Sequence, residues 1–397
     1  MNLNLLHIQL QSLAIFRMLL TDPVVESLCQ YLNSLPQRDT AASVSKYAAF
    51  VSNLYSTEKR PLAGYIQHIV NNAENAYIRM IGKGAQPWQE LDAAVWEELK
   101  ILQAVADLTP DALRQELDWE GYLPGFAVKQ LDISESYRER CANIGSLGYG
   151  MYAKHRMFYI SPENKIIPVL NPDKTRLSSL IDYKREQQII LDNTVALLEG
   201  KPAANILLTG DAGTGKSSTV KAVVNELADK GLRILEVRKE QLHAIPAILD
   251  ELGHNPLKFI LFIDDLSLQK DDDNFSALKA ILEGSVSAKS RNVVIYATSN
   301  RRHLVKESFS SRDGDDIQRN DTMQEILSLS ERFGIQITFQ KPDKKTYLDI
   351  VHHLAAEKGV QMEQEELDTL AERYALGRGG RSARAANQFV DGLLAKQ

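Results

Sequence analysis

The sequence has little of what would place it among disulfide-built, metal-built or membrane-spanning proteins. It holds two cysteines, Cys29 and Cys141, far apart and in no metal-ligand spacing. That excludes a disulfide or zinc framework and leaves two reduced thiols. No apolar run reaches the length that would span a bilayer, so no segment reads as a transmembrane helix. Charge of one sign is also lacking: 46 basic against 52 acidic side chains give a net −6. Residues 1–170 carry 15 basic and 18 acidic side chains and the remainder 31 and 34, so each part is −3. Neither part offers the broad basic face that nucleic acid or an anionic membrane calls for. The first twenty residues are apolar, but Arg17 interrupts them and Asp22-Pro23 ends them. They lack the basic start and small-residue cleavage site of a secretion signal and read as a first amphipathic helix. The chain therefore reads as cytoplasmic.

What is present is a globular composition, with 44% hydrophobic and 25% charged residues among 397. Such a chain buries a sizeable core and divides into two or three domains. Residues 1–170 are expected to form a mostly helical N-terminal domain, a candidate for partner recognition. Apolar residues recur at helical spacing over 24–35, 41–55, 63–81 and 88–108. Thr109-Pro110 marks a helix start. A small hairpin is expected over 157–160 and 166–170. The domain boundary is placed at Asn171-Pro172. Residues 171–341 then alternate strand and helix, which predicts a parallel α/β sheet. The strands are read at 205–209, 233–237, 259–263, 293–297 and 335–339, and the helices at 217–230, 244–251, 275–283 and 321–329. Residues 342–397 read as a helical lid.

The chemistry sits at strand ends. Gly210, Asp211, Ala212, Gly213, Thr214, Gly215, Lys216 and Ser217 match the P-loop pattern without a gap, between a strand and a helix, with Ser218 next. Glycines let successive backbone N–H groups turn toward a phosphate. The helix start adds partial positive charge. Lys216 is expected to reach the β- and γ-phosphates of ATP, and Ser217 to hold Mg2+. The apolar strand 259–263 is expected beside the P-loop strand and ends in Asp264 and Asp265. Asp264 fits a second Mg2+ ligand and Asp265 a group that polarises the attacking water. Asn300, at the tip of 293–297, is placed between them to meet the γ-phosphate or the water.

Arg301, Arg302 and His303 follow as a basic loop at that edge. The pair His352-His353 lacks a third ligand in spacing and reads as structural. The stretch 270–274 reads as a solvated charge run, 312–321 as an insertion, and Lys341, Lys344 and Lys345 as a solvated face.

Taken together these motifs resemble the AAA+ ATPases, over a little more than half the chain. The order of parts is similar. Ile181, Asp182 and Tyr183 look like the segment that packs on adenine, and Asn300 like sensor 1. Ser330-Glu331-Arg332-Phe333 looks like the arginine-finger box. Gly379-Gly380-Arg381-Ser382 looks like sensor 2, with Arg381 the best match and Arg384 the second. The phrases around Asp264-Asp265, Asn300 and Arg332 are closest to the uncharacterised bacterial group DUF815.

The resemblance implies ATP and Mg2+ as ligands, slow hydrolysis, a homo-oligomer in which Arg332 reaches a neighbour's nucleotide, and a protein client. Two departures stand out. Asp265 replaces the glutamate usual after the magnesium aspartate, and 238–249 lacks the aromatic pore loop of unfoldases. They leave open an alternative, a nucleotide-gated switch or helicase-loader-like module with little turnover. The even charge split disfavours extensive nucleic-acid contact.

Overall fold

A computed structural model describes residues 2–58, 61–266, 273–283, 291–300 and 331–395. The chain divides into two compact units, Met1–Lys154 and His155–Gln397.

The first unit is helical. Its longer helices are Leu3–Gln11, Pro23–Ser34, Thr40–Tyr55, Leu62–Asn71, Gln89–Ala106 and Ile133–Ala142. They enclose a core in which Phe16, Tyr31, Tyr47, Phe50 and Tyr137 are fully buried. Asp22, Asp39, Asn75, Thr109 and Asp132 cap helix starts by accepting first-turn amides, the role that favours such residues there.

The single helix expected over 1–20 is two pieces, Leu3–Gln11 and a 3-10 turn at Arg17–Thr21. Glu98 is the reason. Its buried carboxylate accepts the amides of Ala14 at 2.8 Å, Ile15 at 3.1 Å and Phe16 at 2.9 Å. A buried carboxylate needs such donors, and the backbone leaves the helix to supply them. The run 63–81 likewise splits where Asn75 caps Ala76–Gly82 through the Ile78 amide.

The second unit is built on one seven-stranded sheet. Its strands are β1 (Met157–Ile160), β2 (Ile166–Pro168), β3 (Ile206–Gly210), β4 (Leu232–Val237), β5 (Lys258–Ile263), β6 (Val293–Ser299) and β7 (Ile335–Phe339). The order is β2-β1-β4-β5-β6-β3-β7. Among the described residues only the β1–β2 pair is antiparallel; the other five neighbouring pairs are parallel. This is the expected α/β architecture, with a central run of strands that is apolar because both faces are covered. The helix Lys184–Leu198 is fastened to it by Asn193, whose amide bonds the Ala204 backbone in both directions at 2.9 Å and the Tyr296 hydroxyl at 3.0 Å. Burial pushes the pKa of Tyr296 up to about 12.

Three features differ from the sequence expectation. The hairpin belongs to the sheet, because β1 pairs in parallel with β4; the units therefore divide at Lys154 and His155, not near residue 170. The carboxylate strand β5 does not lie beside the P-loop strand β3, since β6 stands between them. Strand β6 also runs on to Ser299, so Thr298 and Ser299 are buried strand residues.

Helices Lys344–Glu357, Gln364–Gly377 and Ala383–Leu394 share a separate apolar cluster that includes Tyr347, Val351, Ala371 and Val390. Among the described residues no helix is long and apolar enough to cross a membrane. The helix read at 321–329, the basic residues 301–303, the stretch 312–321 and residues 270–272 lie outside the described residues.

The strand pairing makes a testable distinction between two fragments. Residues 155–397 are expected to melt cooperatively, and residues 171–397, which lack β1 and β2, at a lower midpoint or without a transition. Circular dichroism on both checks this, and equal midpoints would show that the hairpin contributes nothing to the sheet.

Candidate functional site

The site is assembled at the ends of β3, β5 and β6. β3 ends in Gly210, whose φ is 137°. An added Cβ there would come within 2.1 Å of the Phe339 carbonyl oxygen on β7, so only glycine lets these two strands meet. Gly213 and Gly215 also have positive φ, 81° and 90°. They turn the chain into the helix Lys216–Leu227. Gly215 stands at the N-cap and has no side chain to cover it, so the helix start is left to an anion.

Lys216 is nearly dry, at 5% exposure. Its ammonium donates to the carbonyls of Gly210 at 2.7 Å and Asp211 at 2.8 Å, and to Asn300 Oδ1 at 3.0 Å. Burial holds its pKa below the ordinary lysine value, opposed by the negative charges of Asp264, Asp211 and Asp265. Those acids keep an ammonium tenable where solvent is scarce.

The carboxylates are linked to the P-loop through hydrogen bonds. Ser217 Oγ donates to Asp264 Oδ1 at 2.6 Å, and Thr298 Oγ1 donates to the same oxygen at 2.6 Å. The Asp265 amide donates to Thr298 Oγ1 at 2.9 Å, and Asn300 Nδ2 donates to Asp265 Oδ1 at 2.7 Å. Asp265 itself has a φ of 53°.

These groups face a cleft of about 930 Å³, large enough for a nucleotide-sized ligand. Ala212 through Ser218, Asp264, Asp265 and Asn300 line it, as do Ile181 and Tyr183. Gly210 and Asp211 contribute to the site through their carbonyls on Lys216. Tyr183 sits at the start of Lys184–Leu198 with a φ of 65°. Its hydroxyl donates to the Gln340 carbonyl and its ring lies 4.8 Å from that of Phe339. The far wall comes from the C-terminal helices, with Ile350, Leu354, Arg384 and Asn387.

Two expected residues are placed elsewhere. Arg381 does not line the cleft. It forms a two-pronged pair with Glu372, Nε to Oε1 at 2.8 Å and Nη2 to Oε2 at 2.7 Å. The second choice, Arg384, lines the cleft, and its amide donates to the Gly213 carbonyl at 3.3 Å. A Cβ on Gly213 would lie 3.0 Å from Arg384 Cβ, so this helix start is seated on the P-loop. Arg332 is exposed in the turn before β7 and is not among the residues lining the cleft.

The sequence reading passed over Thr298, although strand alternation puts it on the same face as Asn300. It also passed over Asn387 and Lys358, whose positions depend on how the C-terminal helices fold back.

The donor set suits a hard cation that carries most of its own coordination. A hydroxyl and a carboxylate meet at Ser217 and Asp264, both oxygen donors of the kind Mg2+ takes alongside water and phosphate. Among the described residues, no group of three or more His, Cys, Asp or Glu side chains forms a metal cluster.

Residues 153–397 match a family model described as "Protein of unknown function (DUF815)". No curated protein matches the chain. Among solved structures, similarity is found to the RuvB Holliday junction branch migration motor of Thermotoga maritima, at 18% identity over 55% of this chain and 63% of that one, TM-score 0.37. The chain thus spans less than two thirds of that structure. The AAA domain of FIGL-1 in complex with ADP matches at 13% identity over 55% and 72%, TM-score 0.39. AMPPCP-bound DnaA from Aquifex aeolicus matches at 18% identity over 57% and 67%, TM-score 0.41.

The two arginines should separate in experiment. Arg384→Ala is expected to weaken binding of a fluorescent ATP analogue by roughly tenfold with an unchanged melting midpoint, as for loss of one charge-assisted contact. Arg381→Ala is expected to lower the midpoint and leave affinity unchanged. The reverse pattern would return Arg381 to the site.

Proposed function

The chain belongs to the DUF815 family, and from that premise we propose that it is an AAA+-type ATPase that binds ATP with Mg2+, hydrolyses it slowly, and uses the cycle to remodel or switch a protein client. The observation that carries this reading is the hydrogen-bonded convergence of Lys216, Ser217, Asp264, Asp265 and Asn300 on one cleft. The triphosphate would lie on the amides that open the helix Lys216–Leu227. Lys216 would exchange the Gly210 and Asp211 carbonyls for phosphate oxygens, a stronger charge-assisted bond. Ser217 and Asp264 would hold Mg2+, which when bound neutralises phosphate charge. Asp265 would take the proton of the attacking water, and Asn300 would orient that water or the γ-phosphate.

In phosphoryl transfer the protein's contribution is mainly positioning and electrostatics. Slow turnover is supported by Asp265, whose side chain is one methylene shorter than glutamate and is engaged by Asn300. Arg332 is exposed outside its own cleft, which supports a homo-oligomer in which it reaches a neighbouring nucleotide. The helical unit Met1–Lys154 would recognise the client. The same tie on Asp265 favours a second reading, a nucleotide-gated switch, which would bind ATP tightly with negligible phosphate release.

Lys216→Ala is expected to abolish ATP binding, read by calorimetry; a folded variant with unchanged affinity would remove the nucleotide reading. Asp265→Asn should keep binding and slow phosphate release by roughly a hundredfold, the scale of losing a general base. Wild-type turnover in that variant would reduce Asp265 to a turn residue. For Arg332, mixing is decisive. Arg332→Ala and Lys216→Ala should each be inactive alone and should recover part of the activity when co-assembled. No recovery in oligomers shown by native mass spectrometry to be mixed would place Arg332 outside a shared site.

A further inference from the structure

We infer that Thr298 is the positioning residue that sets the two carboxylates on one side of the cleft, a role that rests on the ATPase reading above. Side chains of consecutive strand residues point to opposite faces. If β5 simply continued, Asp264 and Asp265 would diverge. Instead both line the same cleft, because Asp265 adopts a φ of 53°, in the left-handed region that few residues other than glycine occupy.

Thr298 holds that turn from the neighbouring strand. Its hydroxyl donates to Asp264 Oδ1 at 2.6 Å and accepts the Asp265 amide at 2.9 Å. Its backbone carbonyl accepts the Leu266 amide at 2.7 Å. One residue of β6 thereby ties three consecutive residues at the end of β5. A hydroxyl has one hydrogen to give and lone pairs to accept with, and this one uses both kinds of capacity. The side chain is buried, at 2% exposure, so water does not stand in for it.

The consequence falls on Asp264 first. Its Oδ1 receives both Ser217 and Thr298, which leaves the carboxylate a fixed orientation relative to the P-loop serine. Valine has the shape of threonine without the hydroxyl. In its place the Asp265 amide is left without its acceptor and Asp264 with one donor fewer. The fold retains its apolar contacts, and the site loses the device that aims its metal-side carboxylate.

The test uses the full chain, as Thr298→Val and Thr298→Ser, with a fluorescent ATP analogue titrated with and without Mg2+. Metal-free affinity is expected to stay within about twofold of wild type in both. The gain in affinity on adding Mg2+ should fall by about tenfold in Thr298→Val and return to within about threefold in Thr298→Ser, the scale of one hydrogen bond to a charged group. Turnover of ATP should follow the same order: KM for Mg·ATP rises by about the factor lost from the Mg2+ gain, because with slow chemistry KM follows affinity, and kcat falls as well because the carboxylates lose their aim on the reacting groups.

If Thr298→Val does not melt cooperatively, Thr298→Cys, whose thiol is a weak donor, takes its place with the same expected order. A wild-type Mg2+ gain in the valine or cysteine variant, or a serine variant as impaired as valine, overturns the role. A wild-type chain that binds no ATP overturns the ATPase reading and this role together.

Discussion

The cleft depends on keeping one ammonium ion in a nearly dry place. Lys216 has lost most of its water, and an isolated charge there would shed its proton. Three oxygen acceptors and three nearby aspartates keep it charged. The glycines that let the P-loop bend toward it, the strand order that brings β6 next to β3, and the aspartates at the end of β5 all serve that one balance. From Lys216 the hydrogen bonds continue through Asn300 to Asp265, on to Thr298, then to Asp264 and Ser217. The path leaves the P-loop and returns to it.

Much of this was legible in the sequence, for identifiable reasons. The P-loop is contiguous, and its glycines are dictated by local backbone geometry. Buried parallel strands announce themselves as short apolar runs, so five strands were located to within two residues at either end. Relations across space were less visible. Nothing local tells that β6 stands between β3 and β5, because strand order is set by crossover packing. Nor does local pattern separate Arg381 from Arg384. That difference is decided by Glu372, a residue nine positions away on the helix before it. Thr298 was passed over because a polar residue near a strand end is common and only its two partners give it meaning.

In the first unit, propensity was overruled by a tertiary contact. The segment 1–20 has the apolar spacing of one helix, yet Glu98 takes three of its amides from more than eighty residues away. A distant carboxylate that breaks a helix leaves no mark on the sequence near the break.

The seating of β1 between β2 and β4 has a mechanical meaning. β1 begins within a few residues of Lys154 and is bonded on both sides. A pull arriving along the backbone from residue 154 would meet the β1 pairings first, and would load several hydrogen bonds together before any covalent slack is taken up. A tug or a relaxation at this seam would reach β4 and then β5, the strand that carries Asp264 and Asp265 at its far end, with two sheet pairings between. Load entering the hairpin would thus be shared by the sheet.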